Sequence, residues 1–342
     1  MKKILIIGAG AMGSAFSVPC VDNNNEVSLI GTFLENELIR SLKANNNFHP
    51  ALKINLPKQL IIERHDNLSK IIDNGVDVIV AGISSIGIEW FANEISKFYK
   101  NKTSIIILTK GLAVEDDQLI TLSEKLENIL KKNGHKSANI SSVKGPCLAT
   151  GLAHKMRTGT VIANQNLKQA QKIQKLISTE YYKSEITDDI SGVEFSAAIK
   201  NIYSMLIGAA EGLSNPSAPA EIQEKFYLNT SASLVHRSIS EMVEFVSYYS
   251  GRVETVYGLA GLGDLHVSVA GGRNSLMGKY LGQGYLYKDA KENFMKEITV
   301  EGAQLAFEIE PKIMKNFKEK QFPLMFSILK CICYNKKLEI NW

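Results

Sequence analysis

Lys3-Ile4-Leu5-Ile6-Ile7-Gly8-Ala9-Gly10-Ala11-Met12-Gly13 is the stretch that decides the fold. An apolar run, KILIIG (Lys3–Gly8), meets the glycine series GAGAMG, and a helical pattern follows. A second apolar run, EVSLIG (Glu26–Gly31), comes next. Strand, glycine turn, helix and strand in close succession predict a βαβ unit. At such a turn backbone N–H groups and the positive helix end can approach a pyrophosphate, which a Cβ would hold away. A tight turn with no ligand is the plainer alternative, but the flanking strands favour the phosphate reading. Pro19 removes a hydrogen bond inside the helix and is expected to kink it.

Outward from this unit the first half alternates β and α. Asp77–Ile83, Ser104–Thr109 and Asn139–Lys144 are further strand candidates, as are Thr160–Ala163 and Tyr182–Ile186. Their lack of two-residue alternation fits strands buried on both faces of a parallel sheet. Gln118–Lys132 and Leu167–Ile177 have helical periodicity. The pattern predicts a doubly wound α/β domain over residues 1–188. From 189 to 342 long helical patterns take over, at Gly192–Glu211, Asn229–Ser247, Ser275–Leu281 and Thr299–Glu308. Ser214–Tyr227, rich in turn residues, is expected to form a loop or lid.

Composition narrows the function classes. The 342 residues are 45% apolar and 22% charged, which suits a folded soluble chain with room for two cores. Lys plus Arg number 39 against 35 Asp plus Glu, a net +4 with no long basic run, so no nucleic-acid or membrane-surface partner is expected. The start resembles a secretory signal, but glycines interrupt its apolar core, and no run reaches the ~20 apolar residues of a membrane helix. Four cysteines without CxxC spacing point to a reducing cytoplasm. The histidines show no metal-ligand spacing, and no metal is expected.

Three isolated charges stand out. Lys200 lies inside the apolar helix GVEFSAAIKNIYSMLIGAAE, with the small residues Ser196, Ser204 and Gly208 on its face. A buried lysine there could serve proton transfer, whereas a lysine at the helix edge would snorkel to water. Asp264 is the one formal charge in YGLAGLGDLHVSVAGG, free to pair with Lys200 or to cap a helix. Gly271-Gly272-Arg273-Asn274 precedes a helix and offers an anion site of guanidinium, amide and backbone donors, unless Arg273 is a plain surface residue. Lys110 and Gly145-Pro146-Cys147 follow strands, at the ligand edge of a parallel sheet. Gly-Pro is also an ordinary turn, and Cys147 has no evident histidine partner for nucleophilic work. At the end of the second strand stand Gly31 and Thr32, with no acid before Glu35, so NAD and NADP stay open.

GAGAMG, TKG (Thr109–Gly111), GPCLA (Gly145–Ala149), EFSAAIKN (Glu194–Asn201), AGLGDL (Ala260–Leu265), GGRN and VEG (Val300–Gly302) occur in that order. This set resembles the soluble NAD(P)-dependent glycerol-3-phosphate dehydrogenases along nearly the whole chain. The resemblance implies a Rossmann-type N-terminal domain, an all-α C-terminal domain, a homodimer, NAD or NADP as cofactor, and a small phosphorylated three-carbon substrate. It makes Lys200 the acid/base, with Asp264 and Asn201 beside it. Lys110, Gly145, Cys147, Gly272, Arg273 and Asn274 would line the substrate site. Gly8, Gly10, Ala11, Met12, Gly13, Thr32, Lys110, Ala149, Arg273, Thr299 and Glu301 would hold the cofactor.

The chain departs from the family pattern at several points. Cys147 replaces a hydroxyl, Gly271-Gly272 leads into the Arg-Asn pair, and Thr32 replaces the basic or imidazole residue common where NADP is preferred. The Ser214–Tyr227 segment is longer than expected of the bacterial type. Two other readings carry weight: a lysine-dependent keto-acid reductase such as ketopantoate reductase, against which GGRN speaks, and a noncatalytic nucleotide-responsive regulator.

Overall fold

In the computed structural model the apolar runs form one sheet of eight strands: β1 (Lys3–Ile7), β2 (Glu26–Ile30), β3 (Ile61–Glu63), β4 (Val78–Ala81), β5 (Ser104–Ile107), β6 (Asn139–Lys144), β7 (Thr158–Ala163) and β8 (Tyr182–Thr187). Their spatial order is β8-β7-β6-β5-β4-β1-β2-β3. The structure describes residues 1–100, 102–213, 219–222 and 227–340, so the expected loop at Ser214–Tyr227 lies largely outside the described residues. β1 runs parallel to both neighbours, with Ile4 opposite Val27 and Val78. Ile4 to Ile7 are all buried. Covered faces on both sides explain why these strands do not alternate.

Three features differ from the sequence expectation. β7 runs antiparallel to β6, with Val143 opposite Ile162. The connection holds only the five-residue helix Ala149–Ala153, too short to carry the chain back to the starting edge. The edge strand β3 has only three residues, too few for a periodic signal. Gln118–Lys132 is not one helix: Gln118–Thr121 forms a two-stranded ribbon with Leu112–Glu115, and the helix is Leu122–Lys132. Thr121 marks the break, its side chain accepting the Glu124 N–H at 3.2 Å in a Thr-x-x-Glu helix start. By contrast, α1 (Ala11–Asp22) continues through Pro19.

The chain folds as two compact units, one of Met1–Lys110 with Thr121–Ile190, the other of Gly111–Ile120 with Ser191–Trp342. The ribbon at 111–120 therefore belongs to the second unit, not to the first domain as the sequence division had it. Leu112 and Leu119 explain this, since both are buried in the helical core.

That core is built on α2 (Ile190–Gly208), buried at every position from Gly192 to Ile207. A helix apolar on all sides must be enclosed by others. Its neighbours include α3 (Leu228–Tyr248), α4 (Asp264–Val269), α5 (Arg273–Gly282), α6 (Glu301–Asn316) and α7 (Pro323–Cys333). The α6 pattern as read from sequence stopped at Glu308, short of Pro311, yet the helix passes through that proline. Glu241 of α3 ties three helices together. Its carboxylate accepts the Leu324 and Met325 N–H groups at the start of α7, at 2.7 and 3.0 Å, and the Tyr203 hydroxyl of α2 at 3.0 Å. Burial raises the pKa of this carboxyl.

Glycines let α2 and α5 touch backbone to backbone. A Cβ at Gly208 would fall 2.3 Å from the Ser275 carbonyl oxygen, and one at Gly278 would fall 1.9 Å from that of Met205. Beside Gly208, one of the small residues on the Lys200 face, the space is taken by the backbone of α5.

Candidate active site

Lys200 sits midway along α2 with only 3% of its surface exposed. Snorkelling is therefore excluded for it. Its ammonium donates to Asp264 Oδ1 at 2.9 Å and to the Ser268 hydroxyl. Asp264, 2% exposed, follows a wide π-type turn at Leu259–Gly263 and opens α4. Asp264 and Ser268 are one helical turn apart and so share a face. The aspartate directs Oδ1 to the lysine from the first turn of α4. A buried ammonium needs such partners, since desolvation without them costs several kcal/mol.

The next residue on α2 faces a second set. Asn201 Oδ1 accepts from Asn274 Nδ2 at 3.1 Å, and Asn274 Oδ1 accepts the Gly302 N–H at 2.8 Å. A Cβ at Gly302 would meet the Asn201 carbonyl oxygen at 2.5 Å, so this glycine lets α6 close on α2. Asn274 is buried and clasps three helices, whereas its neighbour Arg273 is exposed. Arg273 is the first residue of α5, preceded by Gly272, and donates to Glu301 Oε1 at 2.8 Å. Thr299 is exposed in the segment leading to Glu301.

In the first unit the glycine turn divides into two kinds of glycine. Gly8 has φ +108°, and a Cβ there would fall 2.5 Å from the Gly82 carbonyl oxygen; one at Gly13 would fall 2.1 Å from that of Gly8. The fold itself requires both. Gly10 differs: the nearest atom to its Cβ position is Glu35 Oε1, at 3.6 Å. It leaves an open side at the N-cap of α1, where the first-turn amides of Ala11, Met12 and Gly13 lack intrahelical acceptors. These residues fit a dinucleotide pyrophosphate.

At the C-terminal edge of β5 and β6, Lys110 Nζ reaches the Gly145 carbonyl oxygen at 3.4 Å. Gly145 has φ +136° and lies against Thr160, while Cys147 donates its N–H back to Gly145 at 2.8 Å. Ala149 begins the short helix that follows. Lys144 is buried and donates to the Ile107 carbonyl at 2.9 Å and to Ser142 Oγ at 2.6 Å.

Sequence reading missed three contributors: Ser268, Gly302 and Glu35. Ser268 was accessible through its four-residue spacing from Asp264. Gly302 stood inside the quoted VEG, but its contact with Asn201 is tertiary. Glu35 comes back to the glycine turn, where its Oε2 accepts the Ala9 N–H at 3.0 Å and the Thr32 N–H at 2.7 Å.

Two family descriptions match this chain: NAD-dependent glycerol-3-phosphate dehydrogenase N-terminus over residues 3–170, and the C-terminus of the same family over residues 189–340. The NADP(+)-dependent glycerol-3-phosphate dehydrogenase of Archaeoglobus fulgidus is 32% identical over 98% of this chain and 96% of its own length. The glycerol-3-phosphate dehydrogenase [NAD(P)+] of Mesoplasma florum is 29% identical over 97% of this chain and 95% of its own. Among solved structures, glycerol-3-phosphate dehydrogenase from Coxiella burnetii superposes with a TM-score of 0.81 at 25% identity, covering 98% of this chain and 96% of that one. A putative 2-dehydropantoate 2-reductase from Enterococcus faecalis reaches 0.51 at 16% identity, covering 97% of each chain, a likeness of fold alone.

Proposed function

Since the chain belongs to the NAD-dependent glycerol-3-phosphate dehydrogenase family, we propose that it carries out reversible hydride transfer between NAD(P)(H) and the sn-glycerol 3-phosphate/dihydroxyacetone phosphate pair. The observation that carries this reading is the buried Lys200 ammonium, held by Asp264 and Ser268. Residues 1–188, less the ribbon at 111–120, act as the dinucleotide-binding domain, and 189–342 with that ribbon act as the substrate domain. The bound nicotinamide supplies or accepts the hydride. Gly8, Gly10, Ala11, Met12 and Gly13 hold its pyrophosphate, with Thr32, Lys110, Ala149, Arg273, Thr299 and Glu301 as further cofactor contacts.

Lys200 polarises the substrate ketone and protonates the alkoxide that develops at C2. Asp264 holds the ammonium in place and, with Asn201, fixes where its proton points. Arg273 binds the substrate phosphate, exchanging Glu301 for the anion, and so supplies orientation remote from the reacting carbon. Lys110, Gly145, Cys147, Gly272 and Asn274 complete the substrate site. In Asn274 the carbonyl is committed to Gly302 and one amide hydrogen to Asn201, leaving one hydrogen for substrate.

The cytoplasm is the proposed compartment and a homodimer the proposed assembly. All four cysteines are free, which supports a reducing environment. Among the described residues no helix is long and apolar enough to cross a membrane. The assay is consumption of NADH or NADPH on adding dihydroxyacetone phosphate. Turnover of ketopantoate in preference to the phosphate ester would instead select the keto-acid reductase reading.

A further inference from the structure

The turn after β2 points to a cofactor choice that the family leaves open. Within residues 31–35 the chain folds back, with the Glu35 N–H donating to the Thr32 carbonyl at 3.0 Å. The Glu35 carbonyl then accepts the Ile39 N–H at 2.9 Å, anchoring the residue at the head of the helix Asn36–Ala44. A Cβ at Gly31 would fall 2.6 Å from Ile39 Cγ1, so this close reversal needs the glycine. The reversal delivers the Glu35 carboxylate to the glycine turn. One oxygen, Oε2, is fixed by the amides of Ala9 and Thr32, at 3.0 and 2.7 Å. The other, Oε1, borders the open side of Gly10.

We propose that Glu35 makes this chain selective for NAD over NADP, an inference that rests on the dinucleotide reading above. In a strand–turn–helix dinucleotide site, an acid reaching over from the end of the second strand accepts hydrogen bonds from the adenosine ribose hydroxyls. A carboxylate with a free oxygen suits that diol. A 2′-phosphate offers no such donor and brings a like charge to a carboxylate that two amides hold in place. The basic side chains nearby in sequence are already paired: Arg40 with Glu37 at 2.9 Å, Lys43 with Glu63 at 2.9 Å and Arg64 with Asp66 at 2.8 Å. The inference holds although the Archaeoglobus relative is described as NADP(+)-dependent.

The test compares kcat/KM for NADH and NADPH with dihydroxyacetone phosphate, using the full chain and its Glu35→Gln variant. The wild type is expected to prefer NADH by roughly 100-fold, the scale of a close like-charge clash. Glu35→Gln is expected to bring the two cofactors within about tenfold of each other, because it removes the charge and adds a donor. A second measurement needs no variant: AMP should compete with NADH more strongly than 2′,5′-ADP does. Wild-type use of NADPH equal to or above that of NADH overturns the inference, as does a Glu35→Gln variant that folds and keeps the full preference. Failure to bind either cofactor in a fluorescence titration would overturn the dehydrogenase reading itself, and this inference with it.

Discussion

Lys200 combines two demands that pull apart: a cation available to a substrate oxygen, and a side chain enclosed by apolar helices. Asp264 and Ser268 reconcile them by supplying polar partners inside the enclosure. Lys200→Ala is expected to lower kcat by about 10²–10⁴-fold, the usual worth of a general acid, while the cofactor Kd changes little. Stability offers an independent readout. Lys200→Met strands a buried carboxylate and is expected to cost about 3–5 kcal/mol in denaturant unfolding, whereas Lys200→Met with Asp264→Leu recovers most of it. Arg273→Ala is expected to reduce kcat/KM for dihydroxyacetone phosphate by roughly 10–100-fold, the worth of one or two charge-assisted hydrogen bonds. Its rate with unphosphorylated dihydroxyacetone should fall much less, and an equal loss on both substrates would remove the phosphate role. The pairing of Lys200 with Asp264 was legible in the sequence because a lone charge among apolar residues is costly to bury without a partner. Glu35 was not, since it reaches Ala9 only after a backbone reversal that no spacing rule encodes.

Helices α2 and α5 depend on glycines at their crossing, and with them the placement of Asn274 beside Asn201. Gly278→Val puts branched carbon where the Met205 carbonyl oxygen already lies, 1.9 Å from the Cβ position. The expected outcome is a loss of about 1–3 kcal/mol or more in thermal unfolding, with activity falling because Asn274 moves with its helix. Unchanged melting would show that the helices separate without penalty. At this scale the apolar strands and α2 were readable, because continuous burial leaves a continuous apolar record. Short elements left no such record: β3 has three residues, and Gln118–Thr121 was absorbed into the pattern of the helix that it precedes. α6 outran its reading because Pro311 is a local stop signal that tertiary packing overrides.

For the whole molecule, the notable feature is the ribbon Gly111–Ile120 and its fastening to α6. Asp117 pairs with Lys312 and with Lys315, the latter at 2.6 Å. These hydrogen bonds lower its pKa from 3.8 to about 2. A carboxyl depressed in the fold stabilises it above the unfolded pKa, and that contribution disappears as pH falls from about 4 through about 2. Asp117→Asn should therefore lower Tm at neutral pH and leave it nearly unchanged near pH 2; an equal difference at both would sink the pairing. No sequence pattern assigned this ribbon to the helical unit, since Leu112 and Leu119 find their neighbours far along the chain.

That arrangement also sets an order of events at the ribosome. The ribbon leaves the exit tunnel well before Lys312 and Lys315 are translated, an interval of about 10–40 s at ~5–20 residues per second. Throughout that interval Leu112 and Leu119 lack the helices that later enclose them, so the nascent chain presents a greasy hairpin to its surroundings. A chaperone that captures short apolar segments would find its window there, and synonymous codons that slow elongation beyond residue 120 would widen it.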